Sequence, residues 1–182
     1  MATVIILNGV SSAGKSSLAR ALQAHAQETF LRVAMDDFVS MLPPGRESTE
    51  DWFPLALAEA PERALPRFET GPRGRLLLEQ MRALVGSLAA TGMSIIVDEV
   101  CEVEAIRHYR LQAGNARLVL IKVEAPLAII EQRERERGDF LIGLARGQAG
   151  VLHHGIAYDI TVDTSTGTPD ALAREVLARL AG

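Results

Sequence analysis

Gly9-Val10-Ser11-Ser12-Ala13-Gly14-Lys15-Ser16 has the spacing G-x-x-x-x-G-K-[ST], a pattern suited to holding phosphate. The apolar run Val4-Ile5-Ile6-Leu7 leads into it, and the helix-forming stretch Ser17-Leu18-Ala19-Arg20-Ala21-Leu22-Gln23 leads out. Strand, loop and helix are the order this chemistry requires. Gly9 and Gly14 would permit backbone angles and a close approach that a Cβ blocks. The N–H groups of Ser11, Ser12 and Ala13, with those of Ser16 and Ser17 at the helix start, would then face the anion. Lys15 would reach the β- and γ-phosphates of ATP, and the Ser16 hydroxyl would bind Mg²⁺. The choice of lysine is informative. Of 19 basic residues only Lys15 and Lys122 are lysines, and the rest are arginines. A compact ammonium on a flexible stem fits such a loop, whereas a planar guanidinium does not.

Other residues have types and positions that could complete a phosphoryl-transfer site. Ile95-Ile96-Val97-Asp98-Glu99 is an apolar strand ending in acids. Asp98 would hold Mg²⁺ opposite Ser16, directly or through water, or else Asp98 or Glu99 would cap the next helix. Asp36 and Asp37 end the second strand, where a carboxylate can accept the proton of an attacking hydroxyl or cap a short helix. The residue types alone do not choose between these two acids. Arg133, Arg135 and Arg137 lie in Glu131-Gln132-Arg133-Glu134-Arg135-Glu136-Arg137-Gly138-Asp139. Arg133 and Arg137 share a helix face and could offset charge on a triphosphate. Pairing as Glu131–Arg135 and Glu134–Arg137 on a solvated face is the alternative. Asp163-Thr164-Ser165-Thr166-Gly167 could touch an adenine or form a turn before Pro169. His153 and His154 read as the end of a helix rather than as metal ligands. Trp52, Phe53 and Phe68 could line an acceptor pocket or simply pack. Cys101 reads as a small buried hydrophobe.

These residues need elements to hold them. Short apolar runs alternate with helical patterns. Strands are expected over Val4–Leu7, Leu31–Met35, Ser94–Asp98, Arg117–Val123 and Ile160–Asp163. Helices are expected over Lys15–Gln27, Asp37–Met41, Gly74–Ala90, Glu102–Ala113, Pro126–Arg137, Leu141–His153 and Pro169–Ala181. Such alternation predicts an α/β fold, a five-stranded parallel sheet with helices on both faces. Runs such as Leu118-Val119-Leu120-Ile121 are apolar throughout, as strands covered on both faces should be. Pro43–Gly71 breaks the alternation with five prolines and reads as a long irregular insertion near the ligand-binding rim.

Bulk properties narrow the class. The 182 residues suit one domain with a sizeable core. A net charge of −4 without a long basic run disfavours duplex nucleic acid. The single cysteine forbids an intrachain disulfide and fits a reducing cytoplasm. No basic leader is visible, and no apolar run approaches the ~18 residues that span a bilayer. The expectation is a cytoplasmic protein without a membrane partner.

Taken together, the residues resemble chloramphenicol phosphotransferase, a small P-loop kinase of the shikimate-kinase-like type with a three-layer P-loop NTPase fold. The resemblance covers most of the chain. It runs through Ile5-Ile6-Leu7-Asn8-Gly9, Ser11-Ser12-Ala13-Gly14-Lys15-Ser16, Met35-Asp36 and Ile95-Ile96-Val97-Asp98. It resumes at Arg133-Glu134 and Arg137-Gly138-Asp139, and is densest in Gln148-Ala149, Val151, His153, Gly155, Tyr158-Asp159 and Val162-Asp163-Thr164. It implies Asp36 as the catalytic aspartate, since Asp37 falls where that family has a serine. It implies Arg133 and Arg137 as arginines of a lid over about 133–146, with Arg135 unmatched. It also implies transfer of the ATP γ-phosphate to a primary hydroxyl of chloramphenicol. The insertion at about 43–75 matches poorly apart from Gly71-Pro72, so the resemblance does not carry the acceptor across.

The reading is an ATP- and Mg²⁺-dependent kinase with a small-molecule hydroxyl acceptor. Lys15, Asp36, Arg133 and Arg137 would be catalytic, and Ser16 and Asp98 would serve the metal. The competing reading is an ATP-hydrolysing switch for a protein client, in which Glu99 polarises water.

Overall fold

The computed structural model describes residues 1–58, 65–138 and 142–181. Its elements run β1 (Thr3–Asn8), α1 (Lys15–His25), β2 (Phe30–Ala34), α2 (Met35–Val39), β3 (Leu55–Ala58), β4 (Leu65–Phe68) and α3 (Pro72–Ala90). They continue β5 (Ser94–Glu99), α4 (Val103–Gln112), β6 (Arg117–Glu124), α5 (Leu127–Arg137), α6 (Leu144–Ala149), β7 (Ile160–Asp163) and α7 (Pro169–Ala181).

The main sheet is five-stranded and parallel, in the order β2-β5-β1-β6-β7. Side chains alternate across it, so each apolar strand feeds two cores. Ile5 and Leu7 of β1 join Leu18 and Leu22 of α1 and Leu172 and Val176 of α7. Val4 and Ile6 join Leu78, Met81 and Val85 of α3 and Ile106 of α4 on the other face. This two-sided burial explains why β1 and β5 carry almost no polar residue before their C-terminal ends. Each fully buried Ile or Leu contributes roughly 1.5–3 kcal/mol, so the sheet's centre is its most strongly held part.

Register delivers the chemistry to one edge. Asp98 stands opposite Leu7 of β1 and Ala34 of β2, so β5 ends between the loop after β1 and helix α2. No helix among the described residues is long and apolar enough to cross a membrane.

Three local expectations need correction. Leu55–Ala58 and Leu65–Phe68 form an antiparallel hairpin inside the supposedly irregular insertion. Its prolines hid it, but Pro66 lies in a two-stranded ribbon, where both strands are edges and a missing N–H is tolerated. Strand β2 stops at Ala34, and Met35 and Asp36 already belong to α2. The helix expected over Leu141–His153 is confined to Leu144–Ala149, and Leu141 lies outside the described residues. His153 and His154 occupy turns.

Candidate active site

The loop between β1 and α1 wraps the start of the helix. Gly9 lies so close to β6 that a Cβ there would sit 2.1 Å from the Val123 carbonyl oxygen. Gly14 caps α1 at φ 96°, a left-handed angle that glycine adopts without strain. No side chain caps α1, so its first N–H groups remain available to an anion. Lys15 is buried, and its Nζ donates to the carbonyls of Gly9 (2.9 Å) and Val10 (3.0 Å). Burial pulls the Lys15 ammonium below its ordinary range, and the charges of Asp98 and Asp36 oppose that shift.

A cleft of about 1490 Å³ opens over this loop. Ser11, Ser12, Gly14, Lys15, Ser16 and Ser17 line one side, with Asp36, Asp98, Arg133 and Arg137 around them. Gly9 and Ala13 support the loop from beneath; Ala13 is fully buried. The two candidate acids separate here. Asp36 lines the cleft, whereas the Asp37 carboxylate accepts from Arg32 Nη1 at 3.3 Å. Asp98 is buried, with Arg32 Nη2 at 3.8 Å, beyond hydrogen-bond range. The cap of α4 is Glu102, so neither Asp98 nor Glu99 serves there.

Both matched arginines of α5 reach the loop. Arg133 donates to Thr164 Oγ1 (2.8 Å) and the Thr164 carbonyl (2.9 Å), with the Ser12 carbonyl at 3.5 Å. Arg137 donates to Ser12 Oγ at 3.0 Å and to Ser11 Oγ at 3.4 Å. Thr164 Oγ1 donates to the Ala13 carbonyl at 2.7 Å, which ties the loop after β7 to the loop after β1. Of the expected surface pairs, Glu131 instead accepts from Arg146 Nε at 2.6 Å. Glu134 is buried and accepts from two backbone N–H groups, of Gly143 and Ala145, each at 2.9 Å.

Glu99 is fully engaged by the protein. Its Oε1 accepts from Arg82 Nη2, and its Oε2 accepts from the Tyr109 hydroxyl at 2.6 Å. The Arg82 guanidinium also stands 5.9 Å from the Tyr109 ring centre. Burial pushes the Tyr109 hydroxyl well above its usual range, and the Glu99 charge adds to the shift. A carboxylate held at both oxygens is poorly placed to polarise water.

Several further residues brace the site. Asn8, fully buried, donates to the Cys101 carbonyl (2.9 Å) and accepts from the Cys101 N–H (2.8 Å), pinning the end of β1 to the segment after β5. Its amide also donates to the Tyr158 hydroxyl (2.8 Å), which lies 2.6 Å from His153 Nδ1. Gln148 Oε1 accepts the Ser11 N–H at 2.7 Å. Cys101 is buried, as expected. Of the three aromatics in the insertion, Phe53 and Phe68 line the cleft while Trp52 packs against the core. Asn8, Tyr109 and Arg82 could not be found from spacing, because their partners are distant in sequence.

The parallel sheet, the phosphate-type loop and the carboxylates across from it define a nucleotide-binding P-loop enzyme of the kinase type. Matching the model of the chloramphenicol phosphotransferase-like proteins over residues 2–181, the chain belongs to that family and is a phosphotransferase. Two Mycobacterium tuberculosis proteins, from strains CDC 1551 and H37Rv, carry the name "Putative O-phosphotransferase". Each is 31% identical over 183 residues, covering 95% of this chain and 80% of the relative. Among solved structures, a sugar kinase from Janibacter sp. HTCC2649 aligns with a TM-score of 0.68 at 17% identity, over 100% of this chain and 95% of that one. The Mycobacterium tuberculosis APS kinase in complex with AMPPNP and APS gives 0.67 at 15% identity, over 100% and 98%. Shikimate kinase from Aquifex aeolicus gives 0.59 at 15%, over 99% and 97%. At these identities the structural likeness is one of fold.

Proposed function

We propose that this protein transfers the γ-phosphate of ATP to a hydroxyl of a small molecule bound in the cleft beside Asp36. The observation that supports it most is the placement of Asp36 and Asp98 in the same cleft as Lys15 and Ser16. Lys15 and the backbone N–H groups of residues 11–17 hold the phosphates. Lys15 must first exchange its bonds to the Gly9 and Val10 carbonyls for phosphate oxygens. The Asp36 carboxylate is exposed to the cleft, where it orients the acceptor hydroxyl and takes its proton. Arg133 and Arg137, anchored on the loop, offset negative charge as the phosphoryl group moves.

Ser16 and Asp98 suit Mg²⁺: both line the cleft, and the Asp98 carboxylate makes no close contact with its nearest arginine. A hydroxyl, a carboxylate and phosphate oxygens are the hard donors that this ion takes. When bound, the ion would neutralise charge on the β- and γ-oxygens. The insertion at about 43–75 forms the acceptor wall, through Phe53, Arg67 and Phe68. The corner at about 133–146 acts as the lid, of which residues 139–141 lie outside those described. The whole chain works as a single domain. The family's name makes chloramphenicol the first acceptor to try.

Substitution separates the roles. Lys15→Met and Asp36→Asn should each lower phosphoryl transfer by at least about 10²-fold. Asp36→Asn should leave nucleotide affinity within about threefold of wild type. An equal loss of ATP affinity in Asp36→Asn would argue against the base.

A further inference from the structure

Four contacts converge on Ser11 and Ser12 from helices α5 and α6. Arg133 and Arg137 come from the end of α5, and Gln148 comes from α6. Gly138 (φ 74°) caps the end of α5 and Gly143 (φ 97°) precedes α6, left-handed angles that glycine adopts without strain. Glu134 spans the corner between the two helices. Its carboxylate receives the N–H groups of Gly143 and Ala145 from one side while its own backbone lies in α5 between the two arginines. Among the described residues it is one of the few that are both buried and charged. A carboxylate accepting two N–H groups is a strong, directional tie, and a buried one is costly unless it is so satisfied.

We infer that Glu134 is a positioning residue for phosphate binding: by clamping α6 to α5, it holds Arg133, Arg137 and Gln148 together over the phosphate loop. The inference rests on the phosphotransfer reading, because it assigns the arginines to the nucleotide. Glutamine at this position can accept with its oxygen, but its NH₂ group meets one of the two N–H donors head on. Aspartate keeps the charge but is one methylene too short to reach both.

The test is calorimetric binding of AMPPNP to Glu134→Gln, Glu134→Asp, Arg137→Ala and the Glu134→Gln/Arg137→Ala double variant. Thermal melts confirm that each is folded. Both Glu134 variants should lose about tenfold in affinity. The loss in the double variant should fall clearly short of the sum of the two single losses, because part of what Glu134 does is exerted through Arg137. A merely structural role would lower the melting temperature and leave affinity per folded molecule unchanged. Wild-type affinity in Glu134→Gln, or losses that add in full in the double variant, would overturn the inference. Failure of the wild type to bind AMPPNP would sink the phosphotransfer reading, and this inference with it. Wild-type AMPPNP binding without transfer to any acceptor would count against the acceptor chemistry alone.

Discussion

The sharpest division at the level of single residues is between neighbours. Asp36 faces the cleft and Asp37 pairs with Arg32. Asp98 makes only a long contact, and Glu99 is held at both oxygens. Alternation along β5 points these last two acids to opposite faces, and on its face Glu99 is held by Arg82 and Tyr109. Removing the Glu99 charge therefore tests structure. Glu99→Gln should lower unfolding free energy by about 3–5 kcal/mol, because Arg82 is left as an uncompensated, largely buried charge. Denaturant titration measures this. A selective loss of ATP hydrolysis at full stability would instead revive the switch reading. The phosphate loop was legible from sequence because its chemistry is local: eight consecutive residues carry it. Glu99 was not, since Arg82 comes from α3 and Tyr109 from α4. The role of Glu134 was hidden likewise. In an alternating Glu/Arg run it looks like surface, and only the fold brings Gly143 and Ala145 to it.

Among the elements, two short pieces meet at close range. The hairpin β3–β4 and helix α6 touch backbone to backbone. A Cβ at Gly147 would lie 2.4 Å from the Pro66 carbonyl oxygen. Gly147→Ala should cost roughly 1–3 kcal/mol through this overlap, read as a lower denaturation midpoint. An unchanged midpoint would mean that the two elements part freely. The turn after α6 carries a pH signature. Burial lowers the His153 pKa from its ordinary value near 6.5, and the Lys122 charge adds to the shift. The unfolded chain therefore binds a proton before the folded one does. Stability from this site is complete above about pH 6.5 and declines as pH falls through the depressed folded value. His153→Gln should flatten that acid-side slope in melts taken from pH 7 downward. The same slope in the variant would remove His153 from the account. Helix ends here were misjudged from sequence for a physical reason. The run after Leu141 has helical composition, yet glycines bound α6 at both ends, Gly143 (φ 97°) before it and Gly150 after it, and the Tyr158–His153 contact lies in the turns that follow.

For the molecule as a whole, the parallel sheet was legible because both its faces are covered. Strands such as Ile95-Ile96-Val97 need no polar side, and helices between them must cross over. The strand order β2-β5-β1-β6-β7 was not legible, because pairing depends on contacts between distant runs. That order seats β5 between β1 and β2 and so puts Asp98 between the phosphate loop and Asp36. The proposed acceptor wall is the least predictable part, because the cleft there is lined by Phe53 before β3, Arg67 and Phe68 of β4, Glu79 of α3 and His108 of α4. The measurement that tests the central claim most directly is mass spectrometry of the purified protein incubated with ATP, Mg²⁺ and chloramphenicol, beside a Lys15→Met control. The account predicts an acceptor mass increase of one phosphate, dependent on ATP and absent in the control. Consumption of ATP without phosphate on chloramphenicol or on any of a panel of hydroxylated small molecules would contradict it.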